Sequence, residues 1–242
     1  MKSFIAAVRF ITILPLGRPG TYDPRGMIPH FPLVGLMLGG IVAVFDGLIS
    51  GLWSPPVVSL LDVILLVYLT GGLHLDGLGD TADGLYGNRP RDRALEIMKD
   101  SRIGAMALLA VICALAVKWA GIMELGAHRH LLLLIVPGYA RGGMVVAIRF
   151  LEYVRPRDGL GKDLFEKPLG LADFAGFILP VGLSFFMGWS ALILNAAFVL
   201  VIFALIGFYK KRIGGITGDM LGAATEILEA VLFLAVSAGG VL

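Results

Sequence analysis

The sequence predicts an all-α, polytopic membrane bundle, and three observations carry that expectation. Of 242 residues, 57% are hydrophobic, and the mean hydropathy is +0.87. A soluble protein of this size needs more polar surface than that. Apolar stretches recur at close to the roughly 20 residues a helix needs to cross a bilayer core of about 30 Å. The lysines and arginines, finally, gather in alternate connecting segments.

Taken in order, residues 4–14 read as a short interfacial helix. Arg9 interrupts its apolar run and no small-x-small site follows before Arg18, so a cleaved leader is not expected. Candidate spans follow at residues 31–53, 57–75, 105–123, 131–150, 174–188, 191–208 and 221–239, about six or seven transmembrane helices in one integral domain, 1–242. Gly35, Gly39 and Gly40 in the first span predict close helix packing. The stretch 174–188 is short and either crosses or is re-entrant. Cys113 stands alone in an apolar run, which excludes a disulfide framework.

With the N-terminus inside and seven alternating spans, the inside segments carry sixteen cations. These are Lys2, Arg9, Arg18 and Arg25; Arg89, Arg91, Arg93, Lys99 and Arg102; Arg155, Arg157, Lys162 and Lys167; and Lys210, Lys211 and Arg212. Outside loops hold only Arg129, a strong positive-inside asymmetry that leaves the C-terminus outside. Lys118, Arg141 and Arg149 fall within spans or at their ends.

Two acidic clusters lie on the inside face. In Gly71-Gly72-Leu73-His74-Leu75-Asp76-Gly77-Leu78-Gly79-Asp80-Thr81-Ala82-Asp83-Gly84, three aspartates are spaced i, i+4, i+7. On a helix that spacing confines Asp76, Asp80 and Asp83 to an arc of roughly 60°. In the segment from Gly214 to Glu229, Asp219, Glu226 and Glu229 are spaced i, i+7, i+10, again one face within roughly 80°. Both segments fit Gly-Gly-x-x-x-Asp-x-Leu-Gly-x-x-x-acid, aligning Asp76 with Asp219 and Asp83 with Glu226, by internal duplication or by convergence.

Carboxylates stacked on one face near lipid repel one another, and a divalent cation removes that penalty. Mg²⁺ takes a few carboxylates and fills its shell with water and substrate phosphates. Such an ion at a membrane mouth suits phosphoryl transfer. The competing reading is a solvated loop of ordinary surface acids. Asp46 and Asp62 lie toward the outer ends of their spans and read as structural or interfacial. Lys99-Asp100-Ser101-Arg102 precedes the third span on the side of both clusters. Arg141, deep in the fourth span, needs a carboxylate or phosphate partner, while Lys118 reads as snorkelling. His74 is a general base, a phosphate donor or a packed side chain. Arg155, Arg157 and Lys162 fit topology control or an anionic ligand.

These residues resemble the cobalamin-5′-phosphate synthase family, whose members are also called adenosylcobinamide-GDP ribazoletransferases. The resemblance runs along most of the chain. It rests on Arg9-Phe-Ile-Thr-Ile-Leu-Pro15, Phe31-Pro-Leu-Val-Gly35, the block from Gly72 to Gly84, and Ile97-Met-Lys-Asp-Ser-Arg-Ile-Gly104. Tyr153-Val-Arg155, Gly159-Leu-Gly161 and the block from Gly214 to Glu226 complete it. Ile13 and Gly79 depart from the usual pattern without touching the carboxylates.

What the resemblance implies is a Mg²⁺-dependent transferase of late cobalamin biosynthesis, multi-pass in the cytoplasmic (inner) membrane with its site on the cytoplasmic face. It would join adenosylcobinamide-GDP to α-ribazole or its 5′-phosphate and release GMP. Under that expectation Asp76, Asp80, Asp83, Asp219 and Glu226 are the metal ligands. Lys99, Arg102, Arg141 and Thr217 bind phosphate, and an aspartate or His74 takes the hydroxyl proton. The lipid bilayer is the surrounding partner, no nucleic acid is expected, and a homo-oligomer is left open. The alternatives are a membrane phosphotransferase for another nucleotide-activated alcohol, or a cation- or proton-coupled transporter. The first lacks its usual Asp-Gly-x-x-Ala-Arg opening here. Against the second, the acids gather at one mouth instead of the midplane.

Overall fold

The computed structural model describes residues 2–17, 23–155 and 161–238. Arg18, Arg157, Gly159 and Gly239, all used in the sequence reading, lie outside the described residues. α1 (Lys2–Ile11) and α2 (Pro24–Met27) lead into α3 (Phe31–Ile49) and α4 (Pro55–Thr70). Next come α5 (Leu73–Leu85), α6 (Arg91–Ile97), α7 (Ala105–Met123) and α8 (Arg129–Phe150). α9 (Ala175–Ser184), α10 (Trp189–Ile213) and α11 (Gly218–Ala238) complete the all-α chain.

Local chemistry sets the ends of these helices. Pro55 and Pro56 open α4, where their missing N–H groups cost nothing. Gly71 and Gly72, with φ of +62° and +70°, close it in a left-handed conformation that an L side chain resists. α10 ends on Lys210, Lys211 and Arg212, cations suited to the negative end of its dipole, and stops at left-handed Gly214.

Five segments are long and apolar enough to cross a membrane, and a sixth counts if α4 and α5 form one broken span. The upper count agrees with the six or seven read from the sequence. The run 57–75 differs from that reading in one respect: α4 and α5 meet at 90°, so the apolar pattern is continuous but the helix is not. Leu171–Met187, the short candidate, falls below span length yet still makes a leg across the bundle. α8 ends beside Ile216, whose N–H donates to Glu152 O at 2.9 Å while the Val154 N–H donates to Ile216 O at 3.0 Å. α10, with 25 residues, is about 37 Å long and ends next to the same pairing. Its start therefore lies at the opposite end, and only 171–187 brings the chain there.

α8 sits at the centre, buried almost throughout. It can pack against α3 because a Cβ on Gly35 would lie 2.2 Å from Pro137 O, and one on Gly39 2.2 Å from Leu134 O. Gly40 meets only a leucine methyl at 3.5 Å, so two of the three expected packing glycines act as such. Gly39→Val should therefore force the two helices apart and destabilise the bundle by about 1–3 kcal/mol or more, read as a lower unfolding midpoint in detergent.

At the end away from α5, Arg129 ties three helices together. Its Nε donates to Asp46 Oδ1 at 2.7 Å and its Nη2 to Asp62 Oδ2 at 3.0 Å, while Nη1 donates to Ile122 O at 2.6 Å. Asp46 and Asp62 are fully buried, consistent with the structural role read for them.

Candidate active site

α5 is the platform. The paired left-handed glycines turn it out of line with α4, and glycines then let it press closely on its neighbours. A Cβ on Gly77 would stand 2.6 Å from Asp219 O of α11, and one on Gly222 3.2 Å from the His74 Cα. The acidic face of α5 is left outward: Asp76 is exposed, Asp80 and Asp83 are half-buried.

The three aspartates do not share one task. Asp76 and Asp80 line a cavity of about 950 Å³. Asp83 accepts from the Gly104 N–H at 2.7 Å and the Ala107 N–H at 3.0 Å, capping α7. Gly104 has no side chain with which to cap its own helix, so a carboxylate from α5 supplies the acceptor. Asp83→Ala should cost about 0.5–2 kcal/mol of stability, checked by thermal unfolding, with a larger hydrogen-exchange rate in the first turn of α7.

Opposite Asp76 and Asp80, the cavity is bounded by Lys99, Asp100, Ser101, Arg102 and Ile103. Arg102 is clamped onto Asp100: Nε donates at 2.9 and 3.1 Å, and Nη2 at 2.5 Å. The guanidinium holds the Asp100 carboxyl down at about 2, and the carboxylate in turn raises Arg102. The pair stays ionised throughout the physiological range, with the remaining donors of Arg102 at the cavity rim.

Asp219 approaches from α11 and stands within electrostatic reach of Asp76 and Asp80. Its Oδ2 accepts from Arg155 Nη1 at 2.7 Å. The short backbone pairing of Glu152–Val154 with Ile216 delivers Arg155 there. A Cβ on Gly215 would lie 2.2 Å from Glu152 O, so this approach requires glycine. Arg155, read from sequence as a topology or anion residue, is thus the charge partner of Asp219. Thr217 is fully buried and its hydroxyl accepts from the Met220 N–H at 3.2 Å; it caps α11 and does not line the cavity.

Glu226, Glu229, Arg141 and His74 lie elsewhere, gathered with Lys118 in the interior. Glu226 departs from the metal set: its carboxylate accepts from Lys118 Nζ at 2.7 Å, and Glu229 accepts from the same ammonium at 2.7 Å. Arg141 Nη1 donates to the other oxygen of Glu229. His74 Nδ1 is 3.5 Å from Arg141 Nη2, and its Nε2 has no hydrogen-bond partner among the described residues. All five side chains are at most 3% exposed, and none lines the cavity. Lys118 does not snorkel; two carboxylates neutralise it where it stands. The physical reason is balance: two cations and two anions together need no solvent, whereas any one alone inside the bundle would.

Among the described residues, no three His, Cys, Asp or Glu side chains are arranged to hold a metal ion by themselves. The cavity wall nonetheless suits Mg²⁺ of the kind bound through one or two carboxylates plus substrate phosphate. Asp76 and Asp80 offer hard oxygens one helical turn apart, beside Lys99 and Arg102. Asp83 and Glu226, expected in the same ligand set, are held by other partners, the backbone N–H groups of α7 and the Lys118 ammonium.

The chain is similar to known proteins along nearly its whole length. The family model described as cobalamin-5-phosphate synthase matches residues 3–237. Relatives named adenosylcobinamide-GDP ribazoletransferase include one from Acetivibrio thermocellus, 37% identical over 246 residues covering 97% of this chain and 96% of the relative. Another, from Synechococcus elongatus, is 38% identical over 247 residues, covering 98% and 96%. One from Clostridium acetobutylicum is 34% identical over 247 residues, with the same coverage. No solved structure matches the chain. With nearly its whole length matched, the chain belongs to the cobalamin-5-phosphate synthase family.

Proposed function

We propose that this chain carries out the reaction for which its relatives are named, joining adenosylcobinamide-GDP to α-ribazole or α-ribazole 5′-phosphate with release of GMP. The observation that carries this reading is one cavity in which two carboxylates of α5 face the basic segment 99–102. Phosphoryl transfer asks a protein mainly for positioning and charge, and this cavity supplies both signs of charge, the negative from α5 and the positive from the segment 99–102. Lys99 and Arg102 bind oxygens of the GDP diphosphate. Asp76 and Asp80 are the residues that would hold Mg²⁺, which would supply charge neutralisation on the transferring group. The ribazole hydroxyl attacks the phosphorus nearer the cobinamide and GMP leaves. A carboxylate at the cavity takes the hydroxyl proton, since His74 lies on the buried face of α5 and does not line the cavity.

We also place this end of the bundle on the cytoplasmic side of the inner membrane. The support is the positive-inside bias: the cations of 89–102, 155 and 210–212 gather near α5, and Arg129 lies at the other end.

The test is GMP release by purified protein in lipid, given Mg²⁺, adenosylcobinamide-GDP and α-ribazole phosphate. Release should require both organic substrates, stop with EDTA and return on adding Mg²⁺. Metal-independent release would remove Mg²⁺ from the reading. No release from folded protein with Mg²⁺ or Mn²⁺ would remove the substrates.

A further inference from the structure

Most of the cavity's exposed lining is apolar. Besides Asp76, Asp80, Thr12, Thr70 and residues 99–102, it is lined by Ile13, Leu73, Leu75, Ile103, Leu108 and Val111. Several of these are well exposed, Ile103 at 82% and Leu108 at 55%. Leu108 and Val111 sit one turn apart on α7, a helix of span length and apolarity whose most apolar stretch is only 22% buried. The cavity is therefore a groove between α5 and the start of α7 that opens outward past Ile103 and Leu108.

The diphosphate itself has no use for such a wall, because phosphates need polar partners and a bound metal needs oxygen. A volume of about 950 Å³ also exceeds what a diphosphate fills. Resting on the function proposed above, the remaining bulk belongs to the group that the GDP activates, a large macrocycle with apolar edges. We propose that the wall formed by Ile13, Leu73, Ile103, Leu108 and Val111 is the subsite for the non-nucleotide part of the GDP-bearing substrate. That part enters sideways at the membrane surface, and Ile103 and Leu108 are specificity-determining contacts. The diphosphate is then held at the polar end while the macrocycle lies along α7. This arrangement gives the enzyme a physical reason to work at a bilayer: its donor site is built half from the membrane-facing surface.

The experiment compares wild type with Ile103→Ser, Leu108→Trp and Ile112→Trp in lipid nanodiscs. Ile112 is 53% exposed on the same helix but does not line the cavity, so it controls for lipid contact. GMP release is measured against each substrate in turn. Ile103→Ser and Leu108→Trp should raise KM for adenosylcobinamide-GDP about tenfold, with kcat within about twofold and KM for α-ribazole phosphate unchanged. Ile112→Trp should behave as wild type. An unchanged donor KM, or the same shift in Ile112→Trp, would mean that the wall only contacts lipid. Parallel shifts for both substrates would equally overturn the subsite. Equilibrium binding of adenosylcobinamide-GDP and of GDP to the same proteins separates this proposal from the reaction itself. Tighter binding of the former, lost in Ile103→Ser, supports the subsite even without turnover, and equal affinities overturn it.

Discussion

Asp80→Asn should lose transferase turnover by about 10²–10³-fold or more while keeping its fold. The substitution preserves side-chain shape and removes one negative charge from a cavity where Asp76, Asp219 and Asp83 already stand within electrostatic reach. Nothing in the packing of α5 depends on that charge: the helix is held by Gly77 on Asp219, Gly79 on Ala107 and Gly84 on Met98. Unchanged circular dichroism and an unchanged or slightly raised unfolding midpoint should accompany the lost activity. The effect should fall on kcat and kcat/KM together, since the interaction lost is the one made to the transferring group. A folded Asp80→Asn protein with near-normal GMP release would end the central role given to this residue.

The second large effect is on stability. Glu229→Gln removes the carboxylate that Lys118 and Arg141 share. It leaves two cations against Glu226 alone, in surroundings at most 3% exposed. Breaking a buried pair from one side costs about 3–5 kcal/mol, a large part of the stability of a domain this size. Unfolding in mild detergent should shift accordingly. Adding Lys118→Met to Glu229→Gln should recover much of the loss, because Arg141 and Glu226 then balance. A double variant no more stable than the single one would refute charge balance as the function of this cluster.

The contrast between Asp80 and Glu229 shows what helical spacing encodes. Spacing of i, i+4, i+7 or i, i+7, i+10 fixes the azimuth of side chains around a helix, and on that basis both acidic faces were legible. It does not fix the direction in which the helix runs. α11 runs into the bundle, so Glu226 lies about 10 Å deeper than Asp219, among Lys118 and Arg141. α5 is turned 90° from α4, and the same seven-residue step carries Asp83 away from the cavity to the start of α7. Lys118 and Arg141 carried a signal that the sequence reading used only in part: four charges inside apolar runs sum to zero, as buried charges must. Arg155 gave no comparable signal, because its approach to Asp219 depends on a backbone pairing of two short segments far apart in the chain.

The sequence by itself determined the all-helical membrane class, most helix positions to within a few residues, the gathering of charge at one end and the family. These follow from hydropathy, periodicity and short motifs, which are local properties of the chain. Only the tertiary structure decided which acids meet in one cavity, which are neutralised in the interior and which cap a neighbouring helix. Those outcomes depend on the 90° turn at Gly71-Gly72 and on how deeply each helix enters the bundle, and both are fixed by packing between residues that no local pattern connects.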